Sequence, residues 1–267
     1  MDFTSAPRRT KPITVAHGVF TGNTLSVEQV EGLSSFNAFE AFLDRPGPWI
    51  AGFDFPFGLP RDALETFGWL KKSWAGMAKH CASLGKLAFA ERLNADRMSR
   101  PKGSRYRYRA GDKIAKSSPA VRLHQVPVGY MFFEGAHRLA RADLHIPVLR
   151  ENKSNRIALE AYPGYLTKSQ LGIASYKSDE RKKNTAERRK NRTRIVEAIC
   201  SGKPLGIQLK CPSKLLDTFV EDPAGDQLDA AICALQAAWG WKNRRNRFGL
   251  PNRMDRYEGW IVTVPEA

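Results

Sequence analysis

No run of apolar residues in this chain approaches the roughly 18–20 needed to cross a bilayer as a helix. The first residues, MDFTSAPRRTK, carry no apolar segment after their charges, so no secretory signal is expected and a cytoplasmic location is. Cysteine is scarce. Cys81, Cys200, Cys211 and Cys233 are scattered without C-x-x-C spacing, which excludes a zinc ribbon and a disulfide framework and leaves free thiols in a reducing compartment. The five histidines never fall in ligand spacing. Also missing are G-x-x-x-x-G-K-[ST], G-x-G-x-x-G, H-E-x-x-H and G-x-S-x-G, so a phosphate-cradling loop, a dinucleotide fold, a zinc protease and a serine triad have no support. No internal repeat and no low-complexity segment is present.

Negative charge is the scarce sign. Among 267 residues, 43 Lys and Arg stand against 27 Asp and Glu, a net charge of +16. Such an excess favours an anionic partner, nucleic acid before membrane. The 42% hydrophobic content is enough for a buried core. The length suits one large domain or two small ones.

Residues 13–20 and 24–30 read as strands joined by the turn Thr21-Gly22-Asn23. Ser34 or Ser35 can cap a helix that shows Phe36, Phe39 and Leu43 on one face, and the run DRPGP stops it. Residues 49–55, WIAGFDF, are apolar without alternation, as in a strand buried on both faces. Helical spacing fills residues 62–96, residues 99–125 read as a long loop, and 130–142 form another helix. Residues 156–162 are a second buried strand, 179–200 a polar helix, 215–220 a short helix, 226–239 an apolar helix and 260–264 a closing strand. This order gives an α/β fold with a mixed sheet. One domain over residues 1–267 is expected, with an insertion at about 61–150.

Carboxylates inside apolar elements stand out, because a buried charge is costly unless it is paired, hydrogen-bonded or metal-bound. Asp54 lies in WIAGFDFPFG, as a ligand at a strand end or as a cap on a nearby turn. Glu160 lies in RIALEAYPG, as a site residue or as the partner of one of the many arginines. Asp226 and Asp229 share one helical face near a helix N-terminus, where the helix dipole alone also accounts for acidic residues. Two strands and a helix N-terminus converging at one sheet edge would supply the carboxylates that a hard divalent cation requires.

The stretches DFTSAP, WIAGFDFPFGLP, LEAYP, GDQLDAAICALQAA and EGWIVTVP, in this order and across nearly the whole chain, resemble a bacterial and archaeal family of unknown function. That family, domain of unknown function 429, is described as predicted ribonuclease H-like nucleases. The resemblance implies the ribonuclease H-like fold of retroviral integrases and Holliday-junction resolvases, a mixed β-sheet flanked by helices. In that fold the acidic residues come from the first strand, the strand after the first helix and a late helix. Matched onto this chain, these are Asp2, Asp54, and Asp226 with Asp229, holding Mg²⁺ or Mn²⁺. Glu160 is the acidic residue of the LEAYP strand, a further ligand or a group that orients water. Only Met1 precedes Asp2, so half of a central strand is missing. The natural protein is therefore expected to start upstream, and Asp2 to fray in this chain.

Basic residues form a second constellation. Arg105-Tyr106-Arg107-Tyr108-Arg109, if extended, offers rings for stacking and guanidinium groups for phosphates; otherwise its tyrosines pack on the body. Residues 177–194, with Arg188 and Arg189, read as a nucleic-acid surface or as a solvated helix face. The resulting expectation is a divalent-metal-dependent nuclease acting on DNA or RNA. The alternatives are a nucleic-acid-binding protein of the same fold without turnover, and a phosphohydrolase on a small phosphorylated substrate.

Overall fold

The computed structural model describes residues 1–178, 180 and 183–266. Strands β1 (Ile13–Thr21) and β2 (Thr24–Leu33) form the expected antiparallel hairpin. Gly22, with φ +61°, takes the left-handed conformation that the tight turn requires. Strand β3 (Trp49–Phe53) pairs in parallel with β4 (Arg156–Glu160), so that Phe53 stands opposite Glu160. A short strand that sequence reasoning missed, β5 (Gln208–Lys210), runs parallel to β2.

The N-terminus joins the two halves of the sheet. Asp2 bridges Thr14 in antiparallel fashion and Asp54 in parallel. Its N–H donates to the Thr14 carbonyl at 2.8 Å, and the Thr14 N–H returns a bond at 2.9 Å. Asp54 N–H donates to the Met1 carbonyl at 3.0 Å, and the Met1 ammonium to the Gly52 carbonyl at 2.8 Å. Asp2 is thus tied on both sides and buried, contrary to the expected fraying. Beyond Met1, β1 and β3 flank a cavity of about 240 Å³. The order across the sheet is β5-β2-β1, the Asp2 bridge, then β3-β4. Residues 260–264 do not form the expected closing strand. They add one bridge, Ile261 to Glu160, because the Trp260 indole turns back to donate to the Val264 carbonyl at 2.9 Å.

Helix α1 (Phe36–Leu43) begins at Ser35, whose hydroxyl accepts from the Ala38 N–H. The expected insertion contains α2 (Arg61–Phe67), α3 (Trp74–Ser83), α4 (Lys86–Ser99), α5 (Ala110–Ala115) and α6 (Val128–Arg141). Together with α1, helices α2, α3, α4 and α6 cover one face of the sheet. Phe3, Phe39, Phe53, Phe55 and Phe57 join Trp74, Phe89 and Phe132 in one apolar cluster there. Ile114 and Ala115 of α5 instead pack with the cluster on the other face. Helix α5 interrupts what reads in the sequence as continuous loop.

The other face is covered by α7 (Ala186–Cys200), α8 (Ser213–Glu221) and α9 (Asp226–Lys242). Asp179, Arg181 and Lys182 of the expected polar helix lie outside the described residues. Helix α9 is apolar nearly all round because it is buried between the sheet and its neighbours. It comes so close to β3 that a Cβ on Gly52 would lie 2.4 Å from the Cys233 carbonyl oxygen. Among the described residues, no helix is long and apolar enough to cross a membrane.

Candidate metal centre

Three elements carry the carboxylates. Asp2 sits on the N-terminal bridge, Asp54 directly follows β3, and Asp229 lies one turn into α9. Each offers an oxygen within 4.8 Å of the others, the group among the described residues that can hold a metal ion. Asp229 is fully buried, Asp2 nearly so, and Asp54 half-buried. The parallel bridge between Asp2 and Asp54 sets the first two side by side, and the close β3–α9 approach brings the third.

Burial away from water penalises the ionisation of Asp2 and Asp54. Burial pushes the Asp54 carboxyl up to about 7; Lys177 pulls it down, and Asp229 pushes it further up. Burial likewise holds Asp2 well above the usual carboxylate range, with Lys177 opposing and Asp229, Asp54 and Asp226 adding. Asp229 is engaged at both oxygens. The Tyr176 hydroxyl donates to Oδ1 at 2.6 Å, and the Lys177 ammonium donates to Oδ2. Burial by itself would lower the Lys177 pKa, but Asp229, Tyr176, Asp2 and Asp54 outweigh it and hold the ammonium charged.

The other expected ligands are placed elsewhere. Asp226, three residues before Asp229, turns to Lys11, whose ammonium donates to it at 2.9 Å. Its charge adds to the upward push on Asp2. Glu160 is buried and grips Arg109, with Nη2 to Oε1 at 2.6 Å and Nη1 to Oε2 at 2.8 Å; the Phe57 N–H adds a third bond at 2.9 Å. Of its two readings, the arginine partner holds.

Arg109 also binds Asp112 at 2.7 Å and the Glu258 carbonyl at 2.8 Å, and only 3% of its surface is accessible. All of its side-chain N–H groups are thus bonded within the protein. Arg107 is spent on Asp96 and Asp62. Tyr106 packs against the core beneath Arg122, and Arg105 is half-buried. Tyr108 keeps an exposed ring. The expected stacking ribbon is thus largely folded inward, because buried Glu160, Asp112 and Asp96 need counter-charges and the nearby arginines supply them. Arg188 donates to the Ser175 hydroxyl at 3.0 Å and the Lys183 carbonyl at 2.7 Å, and Arg189 pairs with Glu221 on the surface.

Sequence reasoning missed Tyr176 and read Lys177 and Arg192 only as part of the basic stretch 177–194, whereas both turn inward. Buried Arg192 donates to the carbonyls of Val220 and Tyr176, at 2.6 and 2.8 Å, and so fixes the segment that reaches Asp229. Asp54 and Asp229 open onto a cavity of about 320 Å³. Asp54, Glu160, Asp229 and Lys177 line one side; Val128 and Met131 of α6 line another, with exposed Lys168 also contributing.

A family model described as "Protein of unknown function (DUF429)" matches residues 7–252, a span that holds Asp54, Glu160, Asp226 and Asp229. No curated protein and no solved structure matches the chain.

Proposed function

The chain belongs to the family described as protein of unknown function (DUF429), and from that premise we propose that it is a divalent-metal-dependent nuclease with a ribonuclease H-like sheet. The observation that carries the reading is the convergence of Asp2, Asp54 and Asp229, from three separate elements, beside a cavity that Asp54 and Asp229 line. Their order matches what the resemblance implies: a first strand, the strand after the first helix, and a late helix. The donor set is all carboxylate oxygen, which fits Mg²⁺ or Mn²⁺ and not a soft metal. Asp2, Asp54 and Asp229 would hold the ion. Such an ion supplies Lewis-acid chemistry to a phosphodiester.

The chain's own residues do the rest. Tyr176 holds the Asp229 carboxylate in one orientation through its 2.6 Å bond. Glu160 and Arg109 fix the end of β4 and the loop after β3, and so the wall beside Asp54. Their role is positioning. Val128 and Met131 give the cavity an apolar side suited to a base or sugar face.

One observation favours a second reading, a phosphohydrolase acting on a small phosphorylated substrate. Arg107 and Arg109 are consumed internally, and the cavity is sized for a single small molecule. A panel of labelled DNA, RNA and hybrid strands, run beside small phosphoesters with Mg²⁺ and Mn²⁺, separates the two. Strand cleavage that needs the cation and disappears in Asp54→Asn is the expected result. Cleavage without a cation, or cleavage retained in Asp54→Asn, would overturn the metal-centre reading.

A further inference from the structure

We infer that Lys177 is a resident counter-ion of the three-aspartate group, whose ammonium a divalent cation must displace in order to bind. The inference rests on the metal-centre reading above and concerns what guards that centre.

The geometry is specific to this lysine. Its ammonium contacts Asp229 Oδ2, while the other oxygen of that carboxylate already accepts from Tyr176. A cation that takes Asp229 on its open side therefore meets the ammonium first. The side chain reaches in from the surface: 39% of it is accessible, against 1% for the Asp229 side chain. A four-carbon stem anchored outside can withdraw its head by rotamer changes alone.

The backbone on both sides stays fixed meanwhile. The Tyr176 carbonyl is held by Arg192, and the Ser178 N–H donates to the Pro223 carbonyl at 2.9 Å. Room for the stem comes from Gly225, the residue just before α9. A Cβ there would stand 3.0 Å from the Lys177 Cβ. Gly225 has φ +71°, so glycine serves both the turn and the passage.

The charge balance points the same way. Three carboxylates within 4.8 Å, once ionised, need positive charge beside them. One ammonium supplies one unit. A divalent ion supplies two and repels an ammonium at contact distance, where the surroundings are partly desolvated. The two cations are alternatives at Asp229.

Mn²⁺ binding to the full chain, followed by electron paramagnetic resonance, tests this. Lys177→Met keeps the stem and removes the charge. It should bind Mn²⁺ about tenfold or more tightly than the unsubstituted protein, since a like-charge repulsion is removed. Lys177→Arg should show no such gain. If the unsubstituted protein binds Mn²⁺ and Lys177→Met binds no better, the inference falls and the metal centre stands. If neither binds, the metal centre falls and takes the inference with it. A second measurement does not depend on the folding of a position-177 variant. Acylation of Lys177 by an amine-directed reagent, read by mass spectrometry, should accelerate when Mn²⁺ is added to the unsubstituted protein and not to Asp54→Asn. An unchanged rate at Mn²⁺ concentrations that fill the site would overturn the displacement.

Discussion

Asp54 shows how far a single residue can be read before and after folding. Its place in an apolar strand marks it in the sequence. The cause of its behaviour, burial beside Asp229 with Lys177 opposing, comes from contacts far along the chain. The folded protein holds the Asp54 proton up to about pH 7, whereas an unfolded aspartate releases it near 3.9. Proton retention therefore contributes stability that is complete below about pH 4 and is lost as pH rises through about 7. Asn cannot ionise. In divalent-free buffer, Asp54→Asn should gain stability relative to the unsubstituted protein across that interval, by at most about 1.4 kcal/mol per pH unit, and level off above it. Thermal unfolding from about pH 4 to 8 measures this, and a gap that does not vary with pH would show that the carboxyl is not desolvated. Arg109 makes the converse case. Arg109→Met would leave Glu160 and Asp112 buried without their guanidinium and should cost about 3–5 kcal/mol by urea unfolding. A cost below about 1 kcal/mol would mean that water reaches both carboxylates. Neither Arg109's burial nor Lys177's inward reach was legible in the sequence. Their partners Glu160 and Asp229 lie 51 and 52 residues away, and arginine next to tyrosine reads equally well as surface.

At the scale of elements, local signals were legible and long-range ones were not. The Gly22 turn and the Ser35 cap involve neighbours in sequence, and both elements form where residue spacing puts them. Strand β5 has three residues and forms only because β2 offers an edge, so no local pattern announces it. Residues 260–264 have strand composition, yet Trp260 bends them back after one bridge. The contact that matters most for the site, β3 against α9, is visible in the sequence only as a glycine in a strand. Gly52→Ala would set a methyl group 2.4 Å from the Cys233 carbonyl oxygen, which is backbone and cannot rotate away. Either β3 or α9 must shift, and with it the spacing of Asp54 and Asp229. The substitution should lower stability by about 1–3 kcal/mol and also weaken Mn²⁺ binding. An unchanged urea midpoint with unchanged Mn²⁺ affinity would show that the β3–α9 contact does not set the site.

For the whole molecule, the net charge of +16 was the clearest statement the sequence made about a partner, and the folded chain redistributes it. Arg107, Arg109 and Arg192 are turned inward, so the positive surface differs from the one a reading of basic runs suggests. Lys168 is exposed and lines the same cavity as Asp54 and Asp229. Each phosphate neutralised on duplex DNA contributes about −0.9 to the slope of log affinity against log salt. If a phosphate passes the cavity mouth, Lys168→Ala should make that slope shallower by about one contact. It should leave stability unchanged within about 0.5 kcal/mol, because the residue is exposed. Above about pH 7, where Asp54 is ionised, Asp54→Asn should bind duplex DNA at least as well as the unsubstituted protein if a phosphate passes there, since it removes negative charge. Fluorescence anisotropy with labelled duplex across a salt series reads the slope and the Asp54→Asn affinity, and urea unfolding reads the stability. A slope indifferent to Lys168 would move the phosphate path away from the cavity, and no binding even at low salt would leave the small phosphorylated substrate as the reading that fits the site.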